Sequence, residues 1–133
     1  MYLLDTNTCI FIKNERPATT LQKLREVIRA KRKVFLSSIS VAELQYGVYN
    51  SQNIEKNRIA LVEFLAPFDI LEFDDTDAEV FGKIRADLKK QGKIIGPYDM
   101  LIAAQALSRG LVLVTNNVGE FERIPGLRIE DWK

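Results

Sequence analysis

Three acidic side chains stand where a short apolar segment ends or a helix begins, and each has an ordinary structural explanation. Asp5 follows the apolar run YLL, and aspartate is a preferred cap for a helix that starts at the next residue. Glu43 ends the pattern S-x-x-E at 40–43, which fits a helix capping box. Asp99 follows Gly96-Pro97-Tyr98 in the first turn of a predicted helix, where the helix dipole favours an acid by about 0.3–1 kcal/mol. Taken singly, each acid is interpreted as a capping residue.

Asp99 has surroundings that capping alone does not explain. Residues 100–107 are apolar apart from Gln105, and a helix that is apolar nearly all round is a buried helix. An unpaired buried carboxylate costs several kcal/mol, which outweighs the dipole gain, so Asp99 should have a strong partner. Because the chain has no histidine, the candidates are a lysine, an arginine or a bound cation.

A cluster of acids is suited to metal-assisted hydrolysis of phosphodiester bonds. Acids gathered in one place raise one another's pKa values unless a cation neutralises them. Carboxylates around a small hard cation, completed by water, describe an Mg²⁺ or Mn²⁺ site. Such a metal activates a water as nucleophile and stabilises charge on phosphodiester oxygens, which requires no histidine.

The composition excludes several other kinds of site. Without histidine there is no Ser-His or Cys-His nucleophile and no His-ligated metal. The single cysteine, Cys9, can form no internal disulfide and is interpreted as a small buried hydrophobe. With 133 residues, 28% of them charged, and a net charge of +1, we expect one globular domain over residues 1–133. The sequence has no membrane-spanning run and no signal-peptide pattern, so we expect a cytoplasmic protein.

Apolar runs alternate with helical patterns along the chain. Strands are predicted at 2–4, 34–38, 70–73, 111–115 and 127–130. Helices are predicted at 6–13, 17–30, 40–48, 53–66, 75–91 and 97–109, the last two ended by glycine. This alternation predicts a three-layer α/β/α domain around a mostly parallel sheet of about four to five strands. Ligands of such sheets bind at the carboxyl ends of the strands, where Asp5, the segment SSIS and the segment TNN arrive.

Four segments, in this order, resemble the PIN-domain ribonucleases and specifically the VapC toxins of bacterial toxin–antitoxin pairs. They are LLDTNTCI at 3–10, SSISVAELQYGV at 37–48, GPYDMLIAAQA at 96–106 and LVLVTNNVGEFERIPGLRIEDW at 111–132. The resemblance covers the chain nearly end to end. It implies a PIN-like fold and an Mg²⁺-dependent endoribonuclease that hydrolyses RNA phosphodiester bonds, with Mn²⁺ able to substitute.

The resemblance also implies a set of site residues. Asp5, Glu43 and Asp99 match the three acids of the family's Mg²⁺ site. Asp5 and Asp99 are expected to bind the metal directly, and Glu43 to orient the metal or the attacking water. Asn117 stands where many PIN domains have a fourth acid, and the next acid is Glu120, so either side chain is expected to complete a site of one or two metal ions. The small polar residues that match positions near the metal are Thr6, Asn7, Ser38 and Thr115.

The same resemblance implies the partners. Relatives of the enteric type with the pattern GPYD…TNN cut initiator tRNA in the anticodon region, which makes tRNA the expected substrate. A VapB-type antitoxin is expected to inhibit by placing a C-terminal segment near the acids. A homodimer and a larger toxin–antitoxin assembly are expected, without membrane association.

Basic and aromatic residues are the candidates for contacts with RNA. Tyr46 and Tyr98 have the chemistry to stack on a base, although core packing is the favoured interpretation of both. The arginines that are candidates for binding phosphates, each with a solvated surface as the alternative, are Arg25, Arg29, Arg32, Arg85, Arg109 and Arg123.

Two other functions fit parts of the pattern. A catalytically weak PIN-fold module that binds RNA or protein is favoured only by Asn117, and the three intact acids disfavour it. A carboxylate phosphatase or receiver domain would need a paired D-x-D or a phosphoacceptor acid with a later lysine, and neither DTNT nor VTNN supplies these.

Overall fold

A computed structural model describes residues 1–133, and a sheet of five parallel strands forms its centre. The strands are β1 (Tyr2–Leu4), β2 (Val34–Ser37), β3 (Asp69–Leu71), β4 (Val112–Val114) and β5 (Ile129–Glu130). Their order is β3-β2-β1-β4-β5, so β1 pairs with β2 on one side and β4 on the other. Leu4 lies opposite Leu36 in β2 and Val114 in β4, so the carboxyl ends of these three strands are level.

Helices connect the strands and account for most of the chain. They are α1 (Thr6–Asn14), α2 (Ala18–Arg29), α3 (Ser38–Tyr49), α4 (Ile54–Leu65), α5 (Asp75–Lys90), α6 (Pro97–Arg109) and α7 (Val118–Phe121). Gly110 ends α6 in the left-handed conformation, with a φ of 66°, as the sequence predicts. No helix is both long enough and apolar enough to cross a membrane.

Two apolar clusters, one on each face of the sheet, form the core. Leu3 of β1 belongs to a cluster with Met100 of α6, and Leu4 belongs to another with Leu61 of α4. Consecutive residues of a strand point to opposite faces, so the fully buried Leu3 and Leu4 show that β1 is covered on both sides. The predicted three-layer α/β fold is therefore confirmed. Cys9 is buried in the second cluster as a free thiol, as predicted.

The structure differs from the prediction at the start of α3. The sequence pattern starts this helix at Ser40, whereas it starts at Ser38 directly after β2. Ser37 is its cap, because the Ser37 hydroxyl accepts a hydrogen bond from the Ile39 N–H at 3.0 Å. The predicted capping box of Ser40 and Glu43 is therefore wrong, and Glu43 lies in the second turn of α3.

The short helix α7 is a second difference from the prediction. It follows β4 at Val118–Phe121, where the sequence pattern predicts no helix. A four-residue helix is too short to show a hydrophobic period, so periodicity cannot detect it. Its consequence is functional, since it carries Glu120.

Candidate active site

Asp5 lies at the carboxyl end of β1 and is only 3% exposed. Its Oδ1 accepts a hydrogen bond from the Thr8 backbone N–H at 2.8 Å, which confirms the predicted cap of α1. Burial raises the pKa of Asp5 above its ordinary value, and hydrogen bonds from Thr115 and Thr8 offset only part of this rise. The strand end therefore holds a carboxylate whose charge is poorly solvated.

Asp99 is the third residue of α6 and is half-buried, in the first turn as predicted. The helix behind it is buried, as the apolar sequence indicates, with Met100, Ala103 and Ala104 each at most 1% exposed. Burial, together with the nearby charges of Asp5, Glu43 and Glu120, raises the pKa of Asp99 to about 6. Three acids from three other segments of the chain therefore act on Asp99 at this edge of the sheet.

No basic side chain forms an ion pair with any acid of this group. The ion pairs of the protein are Arg58–Glu55, Lys83–Glu79, and Arg109 with Asp74 and Asp77. None of them includes Asp5, Glu43, Asp99 or Glu120. Of the partners that the sequence allows for Asp99, lysine and arginine are thus absent, and a bound cation is the one that is left.

Glu43 reaches the group from the second turn of α3. Its Oε1 accepts a hydrogen bond from the Thr6 hydroxyl at 2.7 Å, and the Thr6 Oγ1 also lies 3.0 Å from the Ser40 Oγ. Since a hydroxyl has one proton to donate, Thr6 donates to Glu43 and can accept from Ser40. Ser40, which the sequence pattern assigns to a helix cap, is thus a buried residue of the site. Its place one turn before Glu43 on the same helix was the signal that could have found it.

Thr115, Asn117 and Glu120 form the other side of the group. The buried Thr115 accepts a hydrogen bond from the Asn117 N–H at 3.0 Å through its hydroxyl, while the Asn117 side-chain amide donates to Glu120 Oε2 at 2.8 Å. Asn117 therefore orients Glu120, and it is Glu120 whose charge reaches Asp99.

The remaining two small polar residues are less closely connected to the acids. Ser38 accepts a hydrogen bond from the Phe73 N–H at 3.1 Å, which joins the start of α3 to the segment after β3. Asn7 is exposed on α1, beside a cleft that Thr6 and Glu43 also line.

The donor chemistry of the four acids fits a hard divalent cation. Carboxylate oxygens are the preferred ligands of Mg²⁺ and Mn²⁺, and a cation would supply the positive charge that no side chain supplies. As the side chains stand, no three acids lie close enough to form a ligand cage. Each of three carboxylates is instead held by a hydrogen-bond donor, Asp5 by Thr8, Glu43 by Thr6 and Glu120 by Asn117.

The structure separates the six candidate arginines by location. Arg109 lies at the other end of α6, ten residues and about 15 Å along the helix from Asp99. Arg32 donates to the Tyr2 hydroxyl at 2.8 Å, at the opposite edge of the sheet from Asp5. Both side chains therefore hold contacts within the fold, and an RNA contact by either stays a prediction. The other four candidates, Arg25, Arg29, Arg85 and Arg123, are exposed and form no ion pair.

Arg123 is the candidate nearest in the chain to the acids. It follows Glu120 by three residues and lines a cleft of about 560 Å³ with Lys93. The Lys93 carbonyl accepts a hydrogen bond from Arg123 Nη1 at 3.5 Å. A phosphate contact by Arg123 stays a prediction.

Tyr46 and Tyr98 are not core residues, so the favoured interpretation of both is wrong. Tyr46 is 70% exposed and Tyr98 is 58% exposed. Both line a cleft that includes Glu43.

The comparisons with known proteins agree with this geometry. The model of the PIN domain family matches residues 2–127. The chain is 43% identical over 131 residues to a tRNA(fMet)-specific endonuclease VapC of Shigella flexneri, covering 98% of this chain and 97% of that protein. It is 45% identical over 132 residues to the protein of the same name in Salmonella typhimurium, covering 98% and 97%. Among solved structures, VapBC2 of Rickettsia felis bound to a promoter DNA fragment matches with a TM-score of 0.93 and 39% identity, covering 99% of this chain and 98% of that one.

Proposed function

The chain belongs to the PIN domain family, and we propose that it is a metal-dependent endoribonuclease that acts as the toxin of a toxin–antitoxin pair. One observation carries the proposal: Asp99 is surrounded by the charges of Asp5, Glu43 and Glu120, and no basic side chain is paired with any of them. PIN-domain nucleases generally depend on a divalent metal. A binding module without turnover would have no use for so costly an arrangement of charge.

Asp5, Asp99 and Glu120 are the residues that would hold the cation, with Glu43 beside them. Bound there, a hard divalent cation supplies an activated water and stabilises charge on the phosphodiester oxygens. Thr8 and Thr115 fix the direction of the Asp5 carboxylate, and Asn117 fixes that of Glu120. Glu43, held by Thr6, accepts the proton of the attacking water.

We further propose Mg²⁺ as the resident ion, with Mn²⁺ able to replace it, because both prefer carboxylate oxygen. The proposed substrate is initiator tRNA, cut in its anticodon region. The printed specificity of the Shigella and Salmonella relatives for tRNA(fMet) supports this, since identity to both extends over nearly the whole chain. The proposed site of action is the cytoplasm, where tRNA is found.

The proposed partner is a VapB-type antitoxin. The solved relatives from Rickettsia felis and Salmonella typhimurium are VapBC assemblies bound to DNA. Ile59 and Val62 of α4 are 47% and 57% exposed, and Tyr49 at the end of α3 is 61% exposed. Such apolar exposure supports burial against a partner, in a homodimer of single 1–133 PIN domains and in a larger toxin–antitoxin assembly.

Cleavage assays with purified protein test the function. We expect the protein to cut tRNA in Mg²⁺ or Mn²⁺, to stop when EDTA removes the metal, and to resume when excess Mg²⁺ is restored. Labelled tRNA resolved on a denaturing gel measures the products. Cleavage that continues in EDTA would contradict a metal-dependent mechanism, and RNA binding without cleavage under all of these conditions would favour the binding module.

Glu120, rather than Asn117, is expected to supply the fourth charge of the site. Replacing Glu120 with glutamine should weaken the apparent Mg²⁺ affinity in the cleavage assay by about 10- to 100-fold, because the carboxylate is lost. Asn117→Ala should cost less, since it removes only the donor that orients Glu120. A titration of activity against Mg²⁺ concentration measures both effects.

Glu122→Gln is the matched control for this comparison. Glu122 is exposed, lies two residues after Glu120 and does not contribute to the pKa of Asp99. We expect its Mg²⁺ titration to match that of the parent. An Asn117→Ala variant more impaired than Glu120→Gln would reverse the assignment and make the amide the ligand.

A further inference from the structure

A cleft of about 440 Å³ opens between α3 and the start of α6, beside the catalytic acids. We call it the tyrosine cleft, and its lining residues are Ile39, Ala42, Glu43, Tyr46 and Tyr98. The four residues from α3 are spaced i, i+3, i+4 and i+7, so they form one continuous face of that helix. Tyr98 comes from α6 and directly precedes Asp99.

The two tyrosine rings in this cleft have no partner within the chain. The aromatic pairs of the protein are Tyr2–Trp132 and Phe64–Phe68, and neither tyrosine of the cleft takes part. Neither hydroxyl forms a hydrogen bond with another residue, and both side chains are more than half exposed. Two large amphipathic side chains are thus left facing solvent at the site where RNA would be cut.

The charge of the tyrosine cleft indicates what it can bind. Glu43 is its only charged lining residue, and no lysine or arginine lines it. A phosphate would be repelled there, whereas a flat neutral ring would gain contact with both tyrosines and with Ile39. Glu43 belongs both to the cleft and to the group of acids. A base bound in the cleft would therefore lie next to the phosphodiester that is cut.

We propose that the tyrosine cleft receives one unpaired nucleobase of the RNA, next to the bond that is cut. The inference rests on the proposed endoribonuclease function. It adds that Tyr46 and Tyr98 determine which phosphodiester bond of the RNA is cut. Stacking tolerates every base, while the tyrosine hydroxyls can hydrogen-bond with base edges and so favour some bases over others. A base held in a duplex cannot enter the cleft without leaving its stack.

Alanine variants of the two tyrosines test the proposal on a single-stranded oligoribonucleotide substrate. We expect Tyr46→Ala and Tyr98→Ala each to raise KM by about 10- to 100-fold, the range typical of losing one base stack, with kcat within about twofold of the parent. Tyr46→Phe should retain most of the affinity, because the ring remains. Ile28→Ala is the matched control, since Ile28 is a large apolar side chain of α2, is 53% exposed and does not line the cleft.

Binding in an inactive background separates this inference from the proposed function. In Asp99→Asn protein, an oligoribonucleotide carrying 2-aminopurine should show quenched fluorescence on binding, and Tyr46→Ala should abolish the quenching. Quenching of this kind without any cleavage by the parent would support base binding in the tyrosine cleft and contradict the proposed nuclease function. Normal cleavage with KM unchanged in both alanine variants would contradict base binding in the tyrosine cleft and would still support the proposed nuclease function.

A second copy of the chain is the competing occupant of the tyrosine cleft. In that case Tyr46→Ala would lower the molecular mass measured by light scattering, and the 2-aminopurine signal would be unchanged. That pair of results would overturn the proposal. An unchanged mass with loss of quenching would support it.

Discussion

Replacing Asp99 with asparagine is expected to abolish RNA cleavage while making the metal-free protein more stable. The loss of activity should exceed about 100-fold, because removing a group that merely orients a metal ligand already costs about 10- to 100-fold. The carboxylate of Asp99 would be lost as a ligand, and asparagine keeps the size of the side chain. Initial rates on labelled tRNA at saturating Mg²⁺ measure the effect.

The gain in stability follows from the raised pKa of Asp99. Its ordinary value of 3.8 rises to about 6 in the folded protein, through burial and the charges of Asp5, Glu43 and Glu120. Between these values the folded state binds more protons than the unfolded state, so stability falls as pH rises from about 3.8 to about 6. At pH 8 the charged Asp99 carboxylate therefore lowers the free energy of unfolding of the parent, whereas below pH 3.8 it does not. Asparagine carries no charge in either pH range.

Urea unfolding in EDTA at pH 8 and near pH 4 measures this difference. Asp99→Asn should have the higher free energy of unfolding at pH 8, and the advantage should shrink near pH 4. Asp75→Asn is the matched control, because Asp75 is an exposed acid in the first turn of α5. It should keep full activity and lose about 0.3–1 kcal/mol, the ordinary worth of an acid at a helix start. If Asp99→Asn behaved like this control, Asp99 would be a capping residue alone.

Added Mg²⁺ should stabilise the parent and not the Asp99→Asn variant. A ligand that binds only the folded state contributes about 2.7 kcal/mol at 100 times its Kd. Thermal unfolding across a Mg²⁺ series should therefore raise the Tm of the parent steadily. An equal rise in the variant would place the bound cation elsewhere on the protein.

Local sequence pattern was sufficient to predict where Asp5 and Asp99 lie in the fold. Each stands at a boundary set by short-range physics, the end of an apolar strand or the first turn of an apolar helix, so position along the chain predicts position in the fold. The alternation of strands and helices then fixes a parallel sheet, and parallel strands bring their carboxyl ends to one edge. The central place of β1 is what brings Asp5 into range of Asp99.

Glu43 and Ser40 show where local pattern fails. The motif S-x-x-E is satisfied by a capping box, but the connection from β2 into α3 has no loop, so Ser37 becomes the cap. That shift frees both side chains for contacts with Thr6, a residue more than thirty positions away. Contacts between distant segments leave no trace in a local motif.

Amphipathic and basic side chains were hardest to place from the sequence. Tyr46 fits a buried helix face as well as a cleft wall, because tyrosine has an apolar ring and a polar end. Arg109 and Arg123 look alike as isolated arginines near acid-bearing segments. Only the fold shows that one end of α6 carries Asp99 and the other end carries Arg109.

Arg109 joins α6 to the segment before α5 and to α5 itself. Its Nη2 donates to the Glu72 carbonyl at 2.7 Å and to Asp77 Oδ2 at 3.1 Å, and it lies 3.3 Å from Asp74 Oδ2. The Asp77 side chain is 1% exposed and also accepts from the Ser108 hydroxyl. Burial pushes the pKa of Asp77 up, but hydrogen bonds from Arg109, Ser108 and the Asp74 backbone outweigh it, so the pKa lies below its ordinary value.

Replacing Arg109 with alanine is accordingly expected to lower the free energy of unfolding by about 2–3 kcal/mol at pH 7. Breaking a fully buried ion pair costs about 3–5 kcal/mol, and the loss here is smaller because the Arg109 side chain is 30% exposed. Because the folded pKa of Asp77 is lowered, the pair contributes its full stability above pH 3.8 and loses it as pH falls through the lowered pKa. The difference between parent and variant should therefore shrink below pH 3.8.

Urea unfolding measures the stability of Arg109→Ala, and tRNA cleavage well below its Tm measures its function. Arg85→Ala is the matched control, since Arg85 is exposed on α5 without an ion pair and should change stability by less than about 0.5 kcal/mol. The activity of folded Arg109→Ala should equal that of the parent, because Arg109 is at the far end of α6 from the acids. A raised KM for tRNA with unchanged stability would instead make Arg109 an RNA-binding residue. The combination of lower stability and normal KM assigns it to the packing of α6 against α5, which holds the helix that presents Asp99.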